Sequence, residues 1–204
     1  YEHFESSFRE GYLHFQRVDS YADFSGADEL DGSLLPKDRE AIENMRFGKN
    51  GNCPAENLYH EVRARTYACC FSSENSDFIW NNYGGDEQSS KIGLAFHFGK
   101  LKKMLSEGWS ASPVLVQFEE NSQLVSEGEE YAQLFDLNWG FVKYLEFHDE
   151  RLNDSRLPNP VEYAFHKDMT YEAEKEIRFA LSLRAPNEIV LANGTPFPFP
   201  ESVK

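Results

Sequence analysis

Tyr171-Glu-Ala-Glu-Lys-Glu-Ile-Arg-Phe-Ala-Leu-Ser-Leu183 gathers three glutamates and then turns apolar. From Glu176 onward the alternation is clean. Ile177, Phe179, Leu181 and Leu183 fall on one side, and Glu176, Arg178, Ala180 and Ser182 on the other. Residues two apart share a face of a strand, so the spacing predicts a half-buried β-strand over residues 175–183. A helix is the rival, because Ala173, Ile177 and Leu181 also form a helical stripe. Four alternating apolar positions favour the strand.

On such a strand Glu174 and Glu176 stand side by side on the face opposite the core. Two carboxylates that close raise each other's pKa unless a cation intervenes. Lys175 points to the other face, whereas Arg178 shares theirs. The plain alternative is a solvated acidic strand end.

The surrounding chain sets the limits. At 204 residues it suits one domain, residues 1–204, and its 17 Phe and 10 Tyr supply a substantial core. No apolar run approaches the roughly 20 residues that span a bilayer, so no membrane partner is expected. Nothing at the start resembles a signal peptide. The chain begins at Tyr1 without an initiator Met, leaving room for an upstream segment, so compartment is not fixed. The expectation is a soluble protein, cytoplasmic rather than secreted.

The net charge of −15 repels phosphate backbones over roughly 10 Å at moderate salt, which argues against general nucleic-acid binding. Only short basic clusters such as Lys100-Leu-Lys-Lys103 oppose it. Three cysteines, two of them adjacent at Cys69 and Cys70, make neither a disulfide framework nor a zinc spacing.

Read in order, residues 2–10 suit a short helix and residues 12–18 a strand. Acidic turns follow to Pro36, and a helix is expected over residues 37–45. Gly48, Asn50-Gly51 and Cys53-Pro54 mark a loop over residues 46–56. Strand is expected to resume over residues 59–71, most firmly at 67–71. Ser72 and Ser73 begin a helix carrying Trp80 and Tyr83, with Ser73 as its cap. Strands over residues 91–98 and 113–118 flank a short basic helix at 101–105. The longest helix is expected over residues 129–147, where Tyr131, Leu134, Phe135, Asn138, Val142 and Leu145 make a stripe, widened by Leu137 and Phe141. A loop over residues 151–160, a strand at 189–191 and an extended Pro/Phe tail at 195–204 complete the chain.

Most familiar chemistries find no foothold. Neither Gly-x-Gly-x-x-Gly nor Gly-Lys-Ser/Thr occurs, which disfavours Rossmann, P-loop and kinase sites. His148-Asp149-Glu150 is the nearest approach to a metal set, and neighbours on an irregular segment rarely converge on one ion, so no metal is expected. Nuclease chemistry lacks paired acidic motifs on separate elements. Cys53 with His60 is a conceivable thiol–base pair, with little behind it.

Two resemblances add to this. Cys70-Phe71-Ser72 followed by Trp80 and Tyr83 resembles the centre of a family of uncharacterised bacterial proteins, catalogued as a domain of unknown function. That family shows Cys-Phe-Ser, then Met-Trp and Tyr, and later Trp-x-Tyr-Glu-Lys-Glu-Trp-Arg. Glu174-Lys-Glu-Ile-Arg178 is similar to the later signature, with Tyr171, Ala173 and Ile177 standing where the family has Trp, Tyr and Trp. The likeness covers residues 67–181, and the N-terminal third diverges. It brings no activity.

The second resemblance is to ADP-ribosyltransferases, which carry an early Arg or His, a Ser-containing strand end and a late Glu, often as Glu-x-Glu. His14 or Arg17, Phe71-Ser72-Ser73 and Glu174-Lys-Glu176 follow that order. The elements read above are expected to form one α+β domain with an antiparallel or mixed, split sheet and flanking helices, the helix at 129–147 packed on one side, and the resemblance implies an ADP-ribosyltransferase-like arrangement of them. It also implies NAD as substrate and an unknown acceptor, as in a toxin or phage-defence effector. His14 or Arg17 would then hold the NAD ribose, and Ser72 and Ser73 would order the pocket. Glu176 would stabilise the oxocarbenium-like centre as nicotinamide leaves, an effect confined to the transition state. Glu174 would orient or deprotonate the acceptor. Trp80 and Tyr83 would stack on nicotinamide or adenine, and Arg178 would hold the carboxylates. The plain counter-readings are a structural His14, a helix-capping serine pair and core aromatics at 80 and 83. The alternative function is a non-catalytic acidic binding or regulatory domain, for which the charge of −15 speaks.

Overall fold

Aromatic alternation places the strands of this chain, and proline or serine marks where several helices begin. The computed structural model describes residues 2–23, 28, 30–47, 50–51, 53–83, 91–111, 135–147, 159–183 and 202–203. In order these form α1 (Glu2–Glu10), β1 (Phe15–Arg17), a 3-10 turn (Val18–Asp23) and α2 (Pro36–Ile42). Then come β2 (Arg46–Phe47), β3 (Cys53–Pro54), α3 (Ala55–Arg63), β4 (Thr66–Ser72), α4 (Asp77–Asn82) and α5 (Phe98–Ala111). The remainder comprises β5 (Phe135–Phe141), β6 (Lys143–Leu145), a 3-10 turn (Pro160–Phe165), β7 (His166–Asp168), another (Met169–Glu174), β8 (Glu176–Leu183) and β9 (Ser202–Val203). Pro36 opens α2, where its fixed φ is already helical and its missing N–H costs nothing. Ser76, three residues later than the expected cap, closes the start of α4 by accepting from the Ile79 N–H.

β8 is the strand expected from the alternation, and it lies inside the sheet. The order is β5-β8-β4-β1-β9, antiparallel at every step. Ile177 pairs with Phe71 on one side and Phe141 on the other, and Arg178 likewise with Cys70 and Gly140. Two smaller pairings stand apart: β2 with β3 antiparallel, and β6 with β7 parallel. The architecture is α+β with a mostly antiparallel sheet.

The two faces of this sheet differ in kind. On one, Phe15, Tyr67, Phe135, Phe179 and Leu181 form a core that α5 covers with Phe98, Leu101 and Leu105. On the other, Val18, Ala68, Ala164 and Ala180 pack closely, and polar side chains take over toward Glu176. A third cluster joins α2 and α3 through Leu35, Ile42 and Tyr59 to Phe147 and Tyr163. The face of β8 expected to meet solvent is therefore interior: Arg178 and Ala180 are fully buried.

Several elements differ from expectation. Over residues 135–147 the expected helix is replaced by β5 and β6, and residues 129–134 lie outside the described residues. Phe135, Leu137, Trp139 and Phe141 recur every second residue, and the intervening Asn138 and Gly140 are poor helix formers. Residues 91–97 are irregular, and α5 begins at Phe98, so the strand expected at 91–98 does not form. Residues 55–63 are helical because Pro54 breaks the chain before them, and the strand begins only at Thr66. The expected strand at 12–18 narrows to Phe15–Arg17, and the loop at 46–56 contains the β2–β3 hairpin. The strands expected at 113–118 and 189–191, the loop at 151–158 and most of the tail at 195–204 lie outside the described residues, while residues 202–203 of that tail form β9 on the sheet edge beside β1.

Candidate functional site

Lys175 decides how the two glutamates meet. Its φ of 46° puts it in the left-handed region, so the chain turns sharply between Glu174 and Glu176. Glu174 therefore ends a 3-10 turn and is not on the strand, contrary to expectation. Ser72 and Ser73 hold that turn against the end of β4. The Ser72 hydroxyl donates to the Glu174 carbonyl at 2.8 Å, and the Ser73 N–H and hydroxyl both donate to the Lys175 carbonyl at 2.8 Å.

Despite the turn, both carboxylates reach one ammonium. Lys167 Nζ lies 2.5 Å from Glu174 Oε2, 3.6 Å from Glu176 Oε2 and 3.9 Å from Asp31 Oδ2. Arg178 binds from the other side. Its two terminal nitrogens donate to the two oxygens of Asp31 at 2.6 Å, while Nε and Nη2 donate to Glu176 at 2.6 and 2.9 Å. Its remaining hydrogen bond is to the Ala164 carbonyl at 2.7 Å, and its guanidinium carbon lies 5.7 Å from the centre of the Tyr21 ring. Such planar double forks are what guanidinium geometry permits and an ammonium cannot copy. Three buried carboxylates thus share two buried cations.

The two glutamates are driven apart in acidity. Burial raises Glu174 above the usual carboxylate range, and its hydrogen bonds from Lys167 and Tyr83 offset this only in part. Burial also works against Glu176, but Arg178 and then Lys167 outweigh it and hold the group below its ordinary value. Lys167 loses some basicity to burial, yet Glu176, Asp31 and Glu174 keep it charged and above the ordinary lysine range. A pair of carboxylates pushed in opposite directions is a common arrangement for acid–base work.

The outer side of the site is aromatic. Tyr83 OH donates to Glu174 Oε1, and Tyr83 and Trp80 remain exposed, since α4 buries none of its side chains. Trp80 is steadied by Nε1 donating to Asn75 at 2.6 Å. On the inner side the Cys70 thiol bonds Glu176 and lies 3.2 Å from Tyr21 OH. Cys70 is an exposed residue, yet crowding around its sulfur and then the Glu176 charge push the thiol well above its ordinary range. Tyr144 OH accepts the Glu176 N–H at 2.8 Å.

Of the residues singled out from sequence, Glu174, Glu176, Ser72, Ser73, Tyr83 and Arg178 come together, with Trp80 beside them. His14 lies on the same face, its Nε2 3.3 Å from Gln16 Oε1. Continuing the β1–β4 register brings it level with Cys70 and Arg178, two strands across and two residues along from Glu176, roughly 12 Å away at ordinary strand spacing. Arg17 falls on the opposite face and pairs with Asp19 at 2.5 Å. Phe71 also faces away, packing edge-on against Phe179 and Phe96.

Asp31, Lys167, Tyr21 and Tyr144 were not singled out. Asp31 was legible only as half of an Asp-Gly turn. The glycine is informative in hindsight: Gly32 has φ of 67°, and a Cβ there would lie 2.4 Å from Val18 Cγ1. Among the described residues no cluster of three or more His, Cys, Asp or Glu is arranged to hold a metal ion, and His148-Asp149-Glu150 lies outside them. No protein-family model, curated protein or solved structure matches the chain.

Proposed function

We propose that this protein cleaves the glycosidic bond of NAD and passes ADP-ribose to an acceptor or to water, in the manner of an ADP-ribosyltransferase. The observation that carries the reading is the pair Glu174 and Glu176, held on one ammonium with opposite shifts in acidity, beneath exposed aromatics. The likeness to the uncharacterised bacterial family belongs to the same proposal.

The roles follow from charge. Glu176, kept ionised by Arg178, is suited to stand beside the positive ribose carbon that develops as the C–N bond breaks and nicotinamide departs. Glu174, with its raised pKa, is the better base for an incoming hydroxyl. Trp80 and Tyr83 offer flat faces for nicotinamide or adenine. His14, which bonds Gln16 on the polar face, would have to exchange that contact for a ribose hydroxyl, whereas Arg17 drops out. Substrate entry requires Tyr83 to leave Glu174, because that hydrogen bond covers the carboxylate.

Thermal unfolding with and without NAD tests binding. At roughly 100 times its dissociation constant NAD adds about 2.7 kcal/mol of apparent stability. An unchanged midpoint at millimolar NAD would leave the acidic binding domain as the better reading.

A further inference from the structure

Eight of the eleven large apolar side chains exposed among the described residues fall on α4 and its C-terminal cap, residues 91–97, α5 and β5. This apolar surface starts at Trp80, whose ring lies against Gly93, and passes along the irregular residues 91–97, where Ile92, Leu94 and Phe96 are all exposed. Phe96 contacts Phe71 edge-on at 5.6 Å, and Phe98 carries the contact on to Trp139 and Phe141 at 5.5 and 6.4 Å. Phe141 is 61% exposed, and Met104, on α5, is 70% exposed. Exposed apolar surface grouped in this way marks an interaction site more often than chance.

Its lysines run against the net charge of the chain, with Lys103 also pairing with Glu107 on α5 at 3.6 Å. Residues 91–105 contain four lysines and no Asp or Glu, in a chain with 35 acidic and 20 basic residues. Lys102 Nζ sits 3.8 Å over the Trp139 ring, joining the basic rim to the apolar floor.

We infer that this surface binds an acidic protein segment that carries apolar anchors. Charge complementarity selects this occupant. A second copy meeting face to face would set lysine against lysine. A bilayer with anionic headgroups, or a nucleic-acid strand, would attract the rim but repel the rest of a chain carrying −15. A short acidic segment engages the lysines alone, and its apolar side chains fill the spaces between the exposed aromatics. The surface ends beside Tyr83 and Glu174, which makes the bound segment the acceptor. That last step rests on the reaction proposed above, and the binding does not.

The test is a fluorescence titration of the full chain with a synthetic acidic peptide bearing Leu and Phe at helical spacing between Asp and Glu. Oligo-thymidylate and vesicles of phosphatidylserine and phosphatidylcholine serve as competing probes, and sedimentation of the protein alone reports self-association. The expected result is saturable peptide binding. Lys100→Glu/Lys102→Glu/Lys103→Glu should weaken it by about tenfold or more, as should salt raised well beyond the Debye regime. Ile92→Asp/Met104→Asp should weaken it comparably through lost apolar contact, with both variants keeping wild-type unfolding midpoints. No peptide binding up to about 1 mM, equal binding by the variants, preference for the oligonucleotide or vesicles, or self-association through this face would each overturn the inference. Nicotinamide release from NAD, measured on the same proteins, reports on the reaction separately, because neither variant touches Glu174 or Glu176.

Discussion

Arg178 engages two carboxylates and a carbonyl with a fully buried guanidinium. Arg178→Lys keeps the charge but cannot make either fork, so Asp31 and Glu176 are left buried and under-bonded. A loss of about 1–3 kcal/mol in urea unfolding is expected, the cost of leaving buried acceptors without their hydrogen bonds. Near-wild-type stability for this variant would contradict the described geometry. A second residue sets a pH dependence. Burial, helped by the positive charge of Lys143, lowers His166 from 6.5 to about 4. The folded state holds this ring neutral, so its contribution is present above the unfolded pKa and is lost as pH falls from 6.5 toward 4. The wild type should therefore lose about 2 kcal/mol more than His166→Phe between pH 7 and pH 5. Parallel slopes for the two proteins would show that His166 is not held neutral. At this scale Glu176 and Arg178 were legible, because two-residue spacing on one strand places them on one face. Asp31 was not, because its partner lies 147 positions away and no local pattern reports such a contact.

Among the elements, β5 shows how one segment can satisfy two periods. A helical stripe runs through residues 134–145, yet Phe135, Leu137, Trp139 and Phe141 also alternate, and pairing along β8 decides in favour of the strand. Sheet pairing is a long-range contact, so composition alone weighed the two periods without the partner that chooses between them. Phe135 is 1% exposed and packs edge-on to Tyr67, whereas Phe141 is open. Phe135→Ala should cost about 3–5 kcal/mol, and Phe141→Ala less than about 1 kcal/mol. Equal losses in denaturant unfolding would mean that the two do not lie on opposite sides of the core boundary. β8 was legible because its four alternating apolar positions outnumber the helical stripe at Ala173, Ile177 and Leu181. α3 was hidden because Tyr59 and Val62 suggested strand while Pro54, which starts the helix, was read as part of a loop.

On the scale of the whole molecule, a chain of −15 pairs the buried Arg178 and Lys167 with Asp31, Glu174 and Glu176, and carries a lysine-rich, acid-free stretch over residues 91–105. The α+β class was legible, since aromatic strands and polar helical segments alternate without a βαβ rhythm. The interior position of the β8 polar face was not, because what buries it comes from residues 31 and 164–167. The carboxylate pair at the end of that face is where the functional proposal stands or falls, and nicotinamide release from NAD tests it most directly. Glu176→Gln keeps the shape and removes the charge, so turnover should fall by about two orders of magnitude or more while NAD affinity changes far less. Glu174→Gln should impair transfer to an acceptor and spare slow hydrolysis. Release by Glu176→Gln as fast as by the wild type, or no release by the wild type at all, would contradict the account.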